Sequence, residues 1–147
     1  MSLAERLMAD LKDAMRAQDV VTRDTIRMAR TAIQYAAIEL QREPTEPEVL
    51  DLLLREVKRR KESIELFRQG KREDLVSAEE AEIRVLERYL PTQLSRDEIV
   101  VAVKEIADEL GITSLAQMGS LMREAMLRRK GEADGKVVSE VARELLS

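Results

Sequence analysis

Four helix starts are written into this sequence in one chemical form. Ser2 with Glu5, Thr45 with Glu48, Ser95 with Glu98 and Ser114 with Gln117 each set a hydroxyl three residues before a Glu or Gln. In that arrangement the hydroxyl and the later side chain satisfy backbone donors that a helix N-terminus leaves open. No segment alternates apolar and polar residues for long enough to make a strand. The chain is therefore expected to be all-α.

Periodicity and punctuation predict seven helices. The first covers about 2–17, with Leu7, Leu11 and Met15 on one face, and the second about 20–41, with Ile26, Ala29, Ile33, Ala37 and Leu40. Pro44 and Pro47 mark a turn before a third helix at about 46–69, which repeats Leu50, Leu53, Val57, Ile64 and Phe67 and stops at Gly70. The fourth, about 72–89, aligns Leu75, Ile83, Leu86 and Leu90 ahead of Pro91. After Pro91-Thr92-Gln93-Leu94-Ser95, a proline followed by a capping serine, come helices at about 96–110, 115–129 and 135–146, the last with Val138, Val141 and Leu145 inward. The organisation expected is an N-terminal four-helix domain, 1–93, and a small three-helix tail domain, 94–147. A tail of that size lies near the lower limit for independent stability.

Composition narrows the chemistry. The 147 residues contain no histidine and no cysteine, which removes thiolate nucleophiles, disulfides, Cys/His zinc sites and the usual near-neutral general base. No catalytic residue, cofactor or metal site is expected. Apolar runs are broken by charge well before membrane-spanning length, and the N-terminus has charges where a secretory signal needs an apolar stretch, so a soluble cytoplasmic protein without membrane contact is expected. The formal net charge of −4 repels a phosphate backbone unless the 25 basic residues segregate into patches. Only Tyr35, Phe67 and Tyr89 are aromatic, which gives little support to base stacking.

Polar residues on apolar faces mark the first candidate site. Arg60 takes the heptad slot between Leu53 and Phe67, while Glu79 and Glu82 lie within about 40° of Leu75 and Leu86 at 100° per residue. Antiparallel packing of the third and fourth helices would pair Arg60 with one or both carboxylates, as a structural ion pair fixing register or as a carboxylate pair for acid–base work. A second candidate is the run Arg55, Lys58, Arg59, Arg60, Lys61, Arg68, Lys71 and Arg72, with Arg16, Arg23, Arg27 and Arg30 on the neighbouring helix. These form either a solvated face or a phosphate-contacting surface. A third is Arg128-Arg129-Lys130-Gly131-Glu132-Ala133-Asp134-Gly135-Lys136, which reads equally as a phosphate cradle at a helix N-terminus or as a helix turn capped by Asp134. Met118, Leu121, Met122 and Met126 form a soft stripe that suits a small core or a protein groove.

Arg60-Lys61-Glu62-Ser63, Gly70-Lys71-Arg72-Glu73-Asp74-Leu75, Glu79, Glu82-Ile83 and Tyr89-Leu90-Pro91-Thr92-Gln93-Leu94-Ser95 together resemble the YqeY-like family. Ile26-Arg27-Met28 near the start, and Met118-Gly119-x-x-Met122 and Lys130-Gly131-Glu132-Ala133-Asp134-Gly135 in the tail, carry the resemblance over essentially the whole chain. That family is similar to the C-terminal helical and tail domains of the B subunit of glutamine-dependent aspartyl/glutamyl-tRNA amidotransferase. The resemblance implies a non-catalytic role, holding tRNA, so that a carbon–nitrogen ligase label would be inherited by homology only. The expectation is a tRNA-associated accessory protein whose RNA contacts come from Arg27, Lys58, Arg59, Lys61, Arg72, Arg128, Arg129, Lys130, Gly131, Gly135 and Lys136. The alternative is a helical protein-interaction module with a protein partner and no RNA role.

Overall fold

In the computed structural model, which describes all 147 residues, the chain is seven α-helices with no strand. They are α1 (Leu3–Ala17), α2 (Val20–Leu40), α3 (Glu46–Gln69), α4 (Glu73–Glu87), α5 (Arg96–Leu110), α6 (Met118–Arg128) and α7 (Gly135–Leu146). A single 3₁₀ turn, Leu115–Gln117, leads into α6. No helix is long and apolar enough to cross a membrane. The chain divides into two compact units, Met1–Leu90 and Pro91–Ser147.

The first unit is two helical hairpins, α1–α2 and α3–α4, whose short connections hold consecutive helices side by side. Its core is built from Leu7, Leu11, Ile26, Ala29, Ile33, Val49, Leu53, Val57, Ile64, Val76, Ile83, Val85, Leu86 and Tyr89. The stripes run close to those read from periodicity, with shifts at their ends. On α1, Ala14 is buried and Met15 is half exposed. On α2 the core stops at Ile33, leaving Leu40 exposed, and on α4 Val76 replaces Leu75 as the buried residue. A helix that outruns its neighbours keeps its apolar spacing but has nothing left to cover it.

Capping follows local chemistry. The Thr45–Glu48 box has both halves, at 3.4 and 2.9 Å, as does the Ser95–Glu98 box, at 3.2 and 3.0 Å. At Ser114 the turn is tighter: the Gln117 amide donates to the Ser114 carbonyl at 3.0 Å, and the Gln117 side chain accepts from the Thr113 amide at 3.0 Å. Pro47 lies in the first turn of α3, where a missing amide proton costs nothing. Beyond Gly70, it is Lys71 that takes the left-handed conformation, as Gln18 and Gln41 do after α1 and α2.

The second unit packs α5, α6 and α7 around Ile99, Val103, Ile106, Leu121, Ala125, Val138, Val141, Ala142 and Leu146. Met118, Met122 and Met126 lie partly buried along its margin. On α7 the inward residue is Leu146, with Leu145 turned out. The segment before α5 is part of this unit: the Leu94 amide donates to the Glu132 carbonyl at 2.7 Å, and the Gln93 side-chain amide donates to the Gly131 carbonyl.

One polar atom in the first core has no partner. Thr25 is fully buried on α2, and its hydroxyl is bonded to nothing. An unmet buried hydroxyl costs on the order of 1–3 kcal/mol, and valine has nearly the same shape. Thr25→Val is expected to raise stability by about 1 kcal/mol, measured by urea denaturation; a loss of stability would show that the hydroxyl is satisfied.

Candidate functional site: a buried charge cluster and the exposed basic residues

Arg60 projects from the core face of α3 and is 4% exposed. Its Nη1 lies 2.7 Å from Glu56 Oε2 and 3.0 Å from the Glu56 carbonyl, one turn back on the same helix. Its Nε donates to Glu82 Oε2 at 3.2 Å and lies 4.0 Å from Glu79 Oε2, both on α4. Nη2 points at the sulfur of Met28 on α2, 3.7 Å away. Glu56 is buried and also accepts from Arg59, whose head is in solvent. One guanidinium thus joins α3 to α4 and reaches α2.

The cluster has three carboxylates for two guanidinium groups. Burial first, and then the like charge of Glu82, push the Glu79 carboxyl above its ordinary value against the pull of Arg60. The partial exposure of Glu79 and Glu82, 24% and 27%, lets water share that load. Glu56 was absent from the sequence-derived cluster, although its i, i+4 spacing to Arg60 was a usable signal. No group of carboxylates is arranged to hold a metal ion.

A second buried polar contact clasps α1 to the chain just after α4. Tyr89 is 3% exposed, and its hydroxyl donates to Asp10. Arg6 lies over the ring, 5.1 Å from its centre, and donates to the Arg88 carbonyl at 3.1 Å.

The basic residues singled out from sequence divide into engaged and open groups. Arg128 is gripped by Glu109 through two bonds of 2.7 and 3.1 Å and by Glu124 at 2.8 Å, and it holds the Glu109 carboxyl below the usual range. Arg129 reaches Glu132 at 3.4 Å, and Arg72 grips Asp74 through bonds of 3.1 and 3.0 Å. Lys61 and Lys130 are exposed and already engaged. Arg59 is spent on Glu56. Lys58 on the outer face of α3, Lys136 at the start of α7 and Arg27 on α2 are exposed and reach no carboxylate within ion-pair distance, the Arg27 head leaning onto the sulfur of Met15. The tail loop is not an open cradle. Gly131 is buried with φ +78°, its carbonyl is taken by Gln93, and Asp134 caps α7 by accepting from the Lys136 amide at 2.8 Å. Gly135 packs toward Met126.

The cluster sets an opposed pair of expectations. Arg60→Ala takes the shared cation from three carboxylates, leaving only Arg59 to answer them, and is expected to destabilise by about 3 kcal/mol, the low end for breaking a buried pair because two partners are partly wet. Glu79→Gln is expected to act the other way. A carboxyl raised in the fold makes the native state less stable as pH climbs through its titration, so the variant should gain thermal stability at pH 7 and lose that gain near pH 4. Thermal melts at the two pH values check both, and equal melting temperatures for Glu79→Gln and the parent at pH 7 would show that Glu79 is not strained.

A family model described as Yqey-like protein matches residues 4–146. Among curated relatives, altered inheritance of mitochondria protein 41, mitochondrial, of Pyrenophora tritici-repentis is 34% identical over 147 residues, 96% of this chain and 79% of the relative. The protein of the same name from Kluyveromyces lactis is 38% identical over 108 residues, 71% of this chain and 58% of the relative. These relatives are named as mitochondrial proteins, which overturns the expectation of a cytoplasmic location drawn from the N-terminal charges.

Proposed function

Because this chain belongs to the Yqey-like family, we propose that it is a non-catalytic accessory protein that associates with tRNA, related to the tRNA-holding tail of the amidotransferase B subunit. In this reading 1–93 serves as a four-helix domain and 94–147 as a three-helix tail domain. The observation that carries the RNA reading is that, among the candidate contact residues, Arg27, Lys58 and Lys136 are exposed and reach no carboxylate within ion-pair distance, as is also true of other exposed basic residues such as Lys12, Arg55, Lys104 and Arg123. Contact is made to phosphate, with little base stacking, since Tyr89 and Phe67 are committed to the core and Tyr35 is the one exposed aromatic. Arg128, Arg129 and Arg72 contribute stability through their ion pairs and add little to binding. The cluster at Arg60 holds the first unit together and makes no RNA contact.

The second reading, a protein-interaction module, is favoured by a different observation: Tyr35 and Ile38 on α2 are 68% and 73% exposed, and Leu66 on α3 is 66% exposed. Exposed apolar side chains three residues apart on one helix face, as Tyr35 and Ile38 are, suit a contact surface.

Fluorescence anisotropy with labelled tRNA, and with heparin as a generic polyanion, separates the two. The RNA reading expects preference for tRNA, and a salt dependence that shallows by about one unit of slope for each of Lys58→Glu and Lys136→Glu. Arg128→Ala is expected to leave affinity within about twofold while lowering the melting temperature, as loss of an intramolecular ion pair does. Equal binding to heparin and tRNA would remove the RNA reading.

A further inference from the structure

The buried guanidinium of Arg60 is met unevenly. Nε donates to Glu82 at 3.2 Å, and Nη1 donates to the Glu56 carboxylate at 2.7 Å and to the Glu56 carbonyl at 3.0 Å. On the Nη2 side the acceptor is the thioether sulfur of Met28, on α2, 3.7 Å away. A thioether accepts weakly, and a cation that is 4% exposed has little water to make up the difference. Met28 itself is 46% exposed and stands outside the core of its unit. It has solvent on one side and a buried cation on the other.

We propose that Met28 is an oxidisable modification site, at which hydrogen peroxide converts the thioether to a sulfoxide whose oxygen accepts from Arg60 Nη2 and tightens α2 onto α3. A sulfur lone pair attacks one peroxide oxygen, so that an S–O bond forms as the O–O bond breaks and the sulfur is oxidised by two electrons. The proton on the transferred oxygen passes to the departing hydroxide, which leaves as water. Attack comes from the solvent side, and the unbranched side chain then turns about its three torsions to bring the oxygen to the guanidinium. Methionine oxidation ordinarily destabilises, because it sets a polar group among apolar ones. Here the sign reverses: little apolar packing is lost, and a buried charge gains a strong acceptor. Met15 supplies the contrast. Its sulfur lies 4.0 Å from Arg27 Nη2, but both residues are exposed, so water already serves that guanidinium and a sulfoxide there adds nothing.

This site does not depend on the RNA reading, and its test does not involve RNA. The full chain and Met28→Leu are treated with hydrogen peroxide, the oxidised positions are read by peptide mass spectrometry, and thermal melts are compared before and after. Oxidation at Met118, Met122 and Met126, which line the second core, is common to both proteins. The difference between their shifts therefore reports Met28. Oxidation is expected to move the parent upward by roughly 2–6 °C relative to Met28→Leu. Met28→Gln offers an amide oxygen at similar reach with no oxidant, and should melt above Met28→Leu, whereas Met15→Gln and Met15→Leu should melt alike. A Met28 left unoxidised after Met8 and Met15 have converted would overturn the proposal. So would equal or lower melting of the oxidised parent relative to Met28→Leu, or a gain at Met15→Gln as large as that at Met28→Gln.

Discussion

A guanidinium buried at 4% exposure must be satisfied on every side, and Arg60 organises the first unit by that requirement. Its bonds to Glu56 fix the side chain against its own helix, its bond to Glu82 fixes the register of α4 on α3, and its contact with Met28 brings α2 into the same arrangement. Apolar packing alone would tolerate a slide of one helix along another by a turn. A hydrogen-bonded charge does not, because a slipped register leaves Arg60 facing aliphatic side chains at a cost of several kcal/mol. The excess of one carboxylate in the cluster falls on Glu79, which pairs at the longest distance and bears the cost of burial and, after it, of the like charge of Glu82.

The second unit solves a different problem. Its core is small, and α6 is short and begins in a 3₁₀ turn. It gains order from the segment before α5, where Leu94 and Gln93 bond to the backbone of Glu132 and Gly131. The two motifs that carry the family resemblance in this region, around Gln93 and around Gly131, meet in space. A loop that reads as an anion cradle in isolation is thereby a docking point for the chain's own backbone, and the left-handed Gly131 is what turns its carbonyl to that use.

Much of the positive charge that the sequence singles out is consumed internally. The basic run of α3 and the triplet at 128–130 look like binding surfaces when counted along the chain, but Arg59, Arg72, Arg128 and Arg129 each close on a carboxylate. Exposed ion pairs of this kind add little stability singly. Their larger effect is to flatten the surface potential around them.

How much was legible beforehand follows from the range of each interaction. The all-α class, the seven helices and the capping boxes at Thr45 and Ser95 depend on side chains within four residues of one another, and the sequence by itself determined them: a Thr45 or Ser95 finds its glutamate wherever the helix ends up. The apolar stripes were legible for the same reason, up to their ends. What only the tertiary structure decided was where each stripe stops being covered, as at Ile33 on α2, and which charges are spent. The grip of Glu109 on Arg128, that of Gln93 on Gly131 and that of Asp10 on Tyr89 join residues 19, 38 and 79 positions apart. No local period encodes such pairs; they exist only once packing brings the helices together, because a hydrogen bond is felt over a few ångströms and the chain carries no mark of which distant partner will arrive within that reach.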